Sequence, residues 1–153
     1  ETIIIKVRKT YITPAQIMIS SSNSNRDFNK VTSLIVPYNL VVSSEDYYVY
    51  LVTNKEEVEV LKQLHKFNQT LPDIGLKMKT GLTVDFRNLD ILRSTLYDEY
   101  YRILNGSTQV NSTEINSMPV PDIKIIRQMG RKLMDSKDLS EKNCNLILEG
   151  YCE

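Results

Sequence analysis

Scarcity marks this chain before any motif does. It has no tryptophan, one histidine, two cysteines, five glycines and five prolines in 153 residues. Cys144 and Cys152 both lie near the C-terminal end, and no histidine accompanies them, which speaks against a zinc site. Two reduced thiols in a cytoplasmic protein are expected rather than a disulfide. No apolar run approaches the roughly 18 residues that span a bilayer. The N-terminal "ETIIIKVRKTYI" lacks a charged lead before a long apolar stretch, so a strand entered mid-protein is expected there rather than a signal peptide. Charge of one sign is also missing. Nineteen basic residues balance nineteen acidic ones, so any contact with nucleic acid must come from a local patch.

Catalytic punctuation is equally sparse. There is no P-loop, no dinucleotide-binding glycine fingerprint and no Gly-x-Ser-x-Gly elbow. His65 sits beside Leu64 on a predicted helix, and general-base work needs a partner that the sequence does not announce. A structural histidine is the expectation. Asp98 and Glu99 are adjacent, so they point to different helix faces and make no carboxylate pair. Asp46, Glu56, Glu57 and Glu59 read as solvated surface. No catalytic, cofactor-binding or metal-ligating residue is assigned.

What is there reads as mixed α/β, with short sheet segments and packed helices. "TIIIKVRK" and "AQIMIS" suggest two consecutive strands or a hairpin within residues 2–20. "SSSNSNRDFN" reads as a loop, "KVTSLIVPYNLVV" as short apolar segments broken at Pro37, and "YYVYLV" as a further buried strand. A helix follows over 55–67, with Thr53 as N-cap and Glu56 three residues on, and Val58, Leu61, Leu64 and His65 at helical spacing. Pro72, Gly75 and Gly81 break the next stretch into short strands and turns. Residues 89–104 predict an amphipathic helix with a stripe of Leu89, Leu92, Leu96, Tyr100 and Ile103, stopped by Gly106. Pro121 and Asp122 open a last long helix, and 137–153 reads as a polar hinge with a short helical tail.

Nine tyrosines stand out. Tyr47, Tyr48 and Tyr50 suit a sheet, and Tyr97, Tyr100 and Tyr101 lie on the helix over 89–104. Core packing explains most of them. A tyrosine hydroxyl and Arg102 reaching a polyanion is the sharper alternative.

One stretch resists both core and linker readings. "NGSTQVNSTEINSMPVPD", residues 105–122, joins a glycine turn, a run of small amide and hydroxyl side chains, and a Pro-Val-Pro stop. With "LPDIGLKMKTGLTVDFRN" upstream, it resembles the target-recognition region of N6-adenine DNA methyltransferases from type II restriction–modification systems. The "TGLTVDFR" and "GSTQVNSTEINSMPVP" segments carry the resemblance. A looser likeness exists to the DNA-reading subunits of type I systems. The part from residue 1 through the helix at 55–67 is similar to the last strands of the family's catalytic domain and the connection beyond it.

The resemblance implies two parts. Residues 1–69 are the end of a catalytic-domain-like sheet with a connecting helix, and 70–153 a target-recognition-like domain with C-terminal helices. It implies duplex DNA and a catalytic methyltransferase domain as partners, with no membrane. Lys77, Lys79 and Arg87 supply local positive charge for phosphates. Ser107, Thr108, Gln109 and Asn111 offer short polar groups for phosphate or a base edge, and Gln or Asn can bridge adenine in the major groove. Gln109 and Asn111 serve equally well as loop caps. Thr80, Arg102 and Asn105 complete the expected DNA-contacting set.

The departures are as informative. The family transfers a methyl group from S-adenosyl-L-methionine through a glycine-containing cofactor motif and an Asn-Pro-Pro-Tyr-type motif that holds the flipped base. Neither occurs here, so no residue inherits a catalytic role, and the cofactor is implied only for a parent enzyme. The family also carries a long stretch between "VDFRN" and the following helix, much of it base-reading, whereas Asn88 here runs directly into Leu89. Either that stretch is deleted or the two residues are not neighbours in the intact protein. The leading expectation is the DNA-recognition part of an adenine-specific DNA methyltransferase. The alternative is a protein-interaction module docking on a methyltransferase or restriction subunit through the helices at 89–104 and 122–134, the last of which carries a stripe of Ile123, Ile126 and Met129 beside Arg127, Arg131 and Lys132.

Overall fold

Alternating apolar side chains draw two seven-residue strands into a hairpin, β1 (Gln16–Ser22) and β2 (Val31–Pro37), paired antiparallel. This is a computed structural model, and it describes residues 4, 6, 9–22, 30–43, 48–77, 94–105 and 112–152. The register sets Ile17 opposite Val36 and Ile19 opposite Leu34, which gathers the branched side chains on one face. Ser20 pairs with Ser33 on the other face, their hydroxyls 2.9 Å apart, and Met18 and Ile35 stand exposed there. Among the described residues, the partner of β1 is thus residues 31–37. Ile4, Lys6 and Lys9 lie in no strand, and Ile4 is 84% exposed. The remaining members of "TIIIKVRK" are outside the described residues.

Pro37 ends β2 and starts the single turn α1 (Tyr38–Val41), held by the Tyr38 amide donating to the Ala15 carbonyl at 3.0 Å. The expected strand at "YYVYLV" reduces to one bridge, Val42 to Val49. Val52 is buried, but Tyr48 and Val49 are exposed, so β-propensity here finds no further ladder among the described residues. Tyr47 is outside them.

Helix α2 (Lys55–Leu64) begins one residue later than the Thr53 cap implies. Asn54 Oδ1 accepts from the Glu57 amide at 2.8 Å, and the Glu57 carboxylate accepts from the Thr53 amide at 2.5 Å and from the Thr53 hydroxyl. Asn54, not Thr53, therefore caps the helix, and Glu57, not Glu56, reaches back to Thr53. Val58, Leu61 and Leu64 are buried at the expected spacing.

The chain forms two compact units, Glu1–Val58 and Glu59–Glu153. The second contains four further helices among its described residues: α3 (Thr95–Asn105), α4 (Ser112–Ser117), α5 (Ile123–Ser136) and α6 (Glu141–Cys152). Helix α3 packs on α4 and α6, and α5 packs on α6. The buried stripe of α3 is Tyr97, Tyr100, Ile103 and Leu104, with Leu96 only half-buried. Leu89, Leu92 and the Gly106 stop are outside the described residues.

The tail expected as a hinge with a short helix is instead a core element. Cys144, Leu148 and Cys152 recur every fourth residue and are all buried. Both cysteines are free thiols. Asn145 Oδ1 accepts from the Thr95 amide at 2.8 Å, so α6 supplies a partner for the first turn of α3. Among the described residues, no helix is long and apolar enough to cross a membrane.

Candidate nucleic-acid interface

Of the two stretches quoted for the resemblance, residues 70–77 and 112–121 are described and lie in the second unit, while "TGLTVDFR" lies outside the described residues. Residues 70–76 form a compact turn. Asp73 Oδ2 accepts from the Thr70 amide at 2.8 Å and from its hydroxyl at 2.7 Å, which holds the Asp73 carboxyl below its ordinary range. Gly75 sits at φ +80°, a left-handed position that suits glycine, and the Leu76 amide closes back onto the Leu71 carbonyl at 2.9 Å. Leu71 is buried beneath the turn, and Lys77 emerges exposed just after it.

The other segment is clamped along its second half. Ile115 on α4 and Met118 just after it are buried. The Tyr97 hydroxyl donates to the Pro119 carbonyl at 3.0 Å. Burial, then the nearby Cys152 thiol, pushes the Tyr97 pKa far above its usual value, so the phenol stays a donor. The Val120 amide donates to the Gln69 carbonyl at 2.7 Å, making an isolated antiparallel bridge. Asp122 then caps α5, its Oδ1 accepting from the Lys124 and Ile125 amides at 2.7 and 3.0 Å. Sequence-distant turns are thus held on one scaffold by a backbone bridge.

The described residues include three of the ten expected DNA contacts. Lys77 is exposed, with no ion pair among the described residues. Arg102 is exposed on α3, its Nε donating to Asp98 Oδ2 at 2.8 Å, which raises the already high guanidinium pKa. That one-turn pair lies on an open surface, where water screens it, and it leaves the fork accessible. Asn105 is the last residue of α3. No bond joins Lys77 to Arg102. Lys79, Thr80, Arg87, Ser107, Thr108, Gln109 and Asn111 lie outside the described residues.

His65 is half-buried, with Nε2 3.2 Å from the Tyr100 hydroxyl and the two rings edge to face. Burial lowers its pKa. This is a packed structural pair, as the sequence suggests. Nearby, Lys66 Nζ donates to the Cys152 carbonyl. Burial, ahead of the Lys66 charge that opposes it, raises the Cys152 thiol pKa. A protonated buried thiol is a poor nucleophile.

Among the described residues, no cluster of three His, Cys, Asp or Glu side chains suits a metal ion. They do not fit S-adenosyl-L-methionine either. Their glycines are Gly75, in a surface turn, and Gly130 and Gly150, inside helices, and none makes the close backbone approach of a cofactor cradle.

The basic residues of α5 gain weight from the structure. Lys124, Arg127 and Arg131 are exposed along one side, while Met129 and Leu133 are buried on the opposite side and Ile123 and Ile126 are half-buried. Lys132 instead lies over the Tyr151 ring, 4.5 Å from its centroid. The signal was present in sequence as three cations spaced by three and four residues.

No protein-family model matches the chain, and no solved structure matches it. The chain is 31% identical over 94 residues to the type II methyltransferase M.PstI of Providencia stuartii, covering 60% of this chain and 18% of that protein. It is 40% identical over 45 residues to the type II methyltransferase M.BsuBI of Bacillus subtilis, covering 29% of this chain and 9% of that protein. The chain thus spans less than a fifth of the length of either relative, and its similarity is to a part of type II methyltransferases.

Proposed function

We propose that this chain is the DNA-recognition part of an adenine-specific DNA methyltransferase of a restriction–modification system. The observation that carries the reading is the 94-residue similarity to a type II methyltransferase, in a chain whose own motifs offer no methyl-transfer chemistry. Residues 70–153 hold duplex DNA, and residues 1–69 connect them to the catalytic domain. That domain binds S-adenosyl-L-methionine, flips the target adenine and transfers the methyl group to N6. Lys77, Lys79, Thr80, Arg87 and Arg102 contact the phosphate backbone. Asn105, Ser107, Thr108, Gln109 and Asn111 approach phosphate or base edges, with the two amides able to bridge adenine.

The described scaffold supports this division of labour. The bridge between Gln69 and Val120, with the Tyr97 anchor on Pro119, fixes the flanks from which the candidate loops depart. Preorganised flanks lower the entropic cost of ordering a loop on DNA. The alternative, docking on a partner subunit through the apolar stripe of α5, draws no support from that stripe, because Met129 is buried within the unit.

The test is substitution of Gln109 and Asn111 by Ala in the methyltransferase that carries this chain. Target methylation is expected to fall by about one to two orders of magnitude for each substitution, in line with roughly 1–3 kcal/mol per lost bidentate base contact. Binding to a duplex without the target is expected to stay within about twofold of wild type. Equal loss of both sinks the base-reading role.

A further inference from the structure

Helix α5 presents an outward face with no established use. Lys124, Arg127 and Arg131 follow one another at spacings of three and four, so they share one side of the helix, and the exposed Gln128 lies among them. None of the three cations makes an ion pair among the described residues. The helix carries one acid, Asp135, a turn beyond Arg131. Its opposite side is sealed by Met129 and Leu133 where α5 packs on α6. In a chain with no net charge, three unpaired cations aligned on a rigid helix are a local concentration of one sign.

The tip of the helix is not what attracts an anion. Asp122 already occupies the free amides of Lys124 and Ile125 and places a carboxylate there. Attraction must come from the side chains along the barrel. Lys124 to Arg131 spans about 10 Å of helix axis at 1.5 Å per residue. Over that length one DNA strand presents about three phosphates, at 3.4 Å of duplex axis each. Arginine forks suit phosphate oxygens in pairs, and the lysine adds a point charge.

We propose that this face of α5 seats on the phosphate backbone of duplex DNA, as a second, sequence-independent contact beside the candidate loops. The assignment rests on the reading of the chain as a DNA-recognition part, and names a phosphate-binding surface for it.

The experiment compares the full chain with the triple variant Lys124→Gln, Arg127→Gln, Arg131→Gln. A matched triple, Lys9→Gln, Lys55→Gln, Lys142→Gln, removes three exposed lysines elsewhere. Affinity for a fluorescent 20-base-pair duplex is read across a salt series, with circular dichroism of each protein alongside. The α5 triple is expected to flatten the slope of log affinity against log salt by about 2–3, near 0.9 per phosphate contact. The matched triple should change it by less than about 1. A helix-retaining double variant, Lys124→Gln with Arg127→Gln, should give an intermediate slope, and this graded loss stands even if the triple unfolds.

An unchanged slope in the α5 variants, with steep wild-type binding, overturns the α5 assignment and leaves the recognition reading intact. Equal flattening by the matched triple overturns it as well, since bulk charge then explains binding. Loss of polyglutamate binding with duplex binding untouched would assign the face to an acidic protein instead. No duplex binding by the wild-type chain overturns the recognition reading, and this assignment with it.

Discussion

Val120 donates its amide to the carbonyl of Gln69 at 2.7 Å, and this one backbone bond ties together segments 51 positions apart in the chain. Val120 is buried. The Pro-Val-Pro stop is therefore a fixed post and not a spacer. Pro119 gives its carbonyl to Tyr97, Val120 gives its amide to Gln69, and Pro121 leads into the Asp122 cap. Proline lacks an amide, so the only donor of the Pro-Val-Pro unit is the one used in the bridge.

Removing the Tyr97 hydroxyl tests that post. Tyr97→Phe leaves the ring in place and the Pro119 carbonyl without its donor. Urea unfolding should report a loss of about 1–2 kcal/mol at unchanged m-value. A loss below a few tenths would mean that water replaces the phenol and the post is held by packing alone.

The Asp122 cap is the second test. Asp122→Ala frees two amides at the start of α5 and should cost about 1 kcal/mol, with Asp122→Ser recovering most of it. Thermal melts of the three proteins decide the matter. Equal destabilisation by Ala and Ser would show that the carboxylate charge matters and the hydrogen bonds do not.

His65 makes stability depend on pH. Burial lowers its folded pKa below the unfolded value of 6.5, so the neutral ring is favoured in the folded state. The unfolded chain then binds the extra proton, and stability rises with pH. The contribution is complete above the unfolded pKa and is lost as pH falls through it toward the folded one. Between about pH 7 and 5, His65→Gln should flatten the dependence relative to wild type. An identical slope in the variant would place the titrating group elsewhere.

Legibility in the sequence followed how local each determinant is. Helix α5 was readable because its stripe, its basic face and its Asp122 cap all lie within fifteen residues. The α2 cap was misplaced by one residue because Thr53 with Glu56 and Asn54 with Glu57 satisfy the same pattern, and only the fold selects between them. Helix α6 is hard to read because polar residues surround Cys144 and Cys152, which suggest thiol chemistry before packing, whereas here they pack as small apolar side chains with Leu148. The expectation of a strand at "YYVYLV" is non-local, since strand propensity needs a neighbour, and among the described residues only Val42 bridges to it. For the candidate site, Lys77 and Arg102 are exposed, and the Arg102–Asp98 pair is legible only as a spacing of one helical turn. The bridge from Gln69 to Val120 has no local signature at all.

The most direct test of the recognition reading is the affinity of the 153-residue chain for duplex DNA as a function of salt. Binding that weakens steeply, with a slope of several in log affinity against log salt, is the predicted result, at about 0.9 per phosphate contacted. A flat slope, or no binding at low salt, would contradict a DNA-recognition role for this chain.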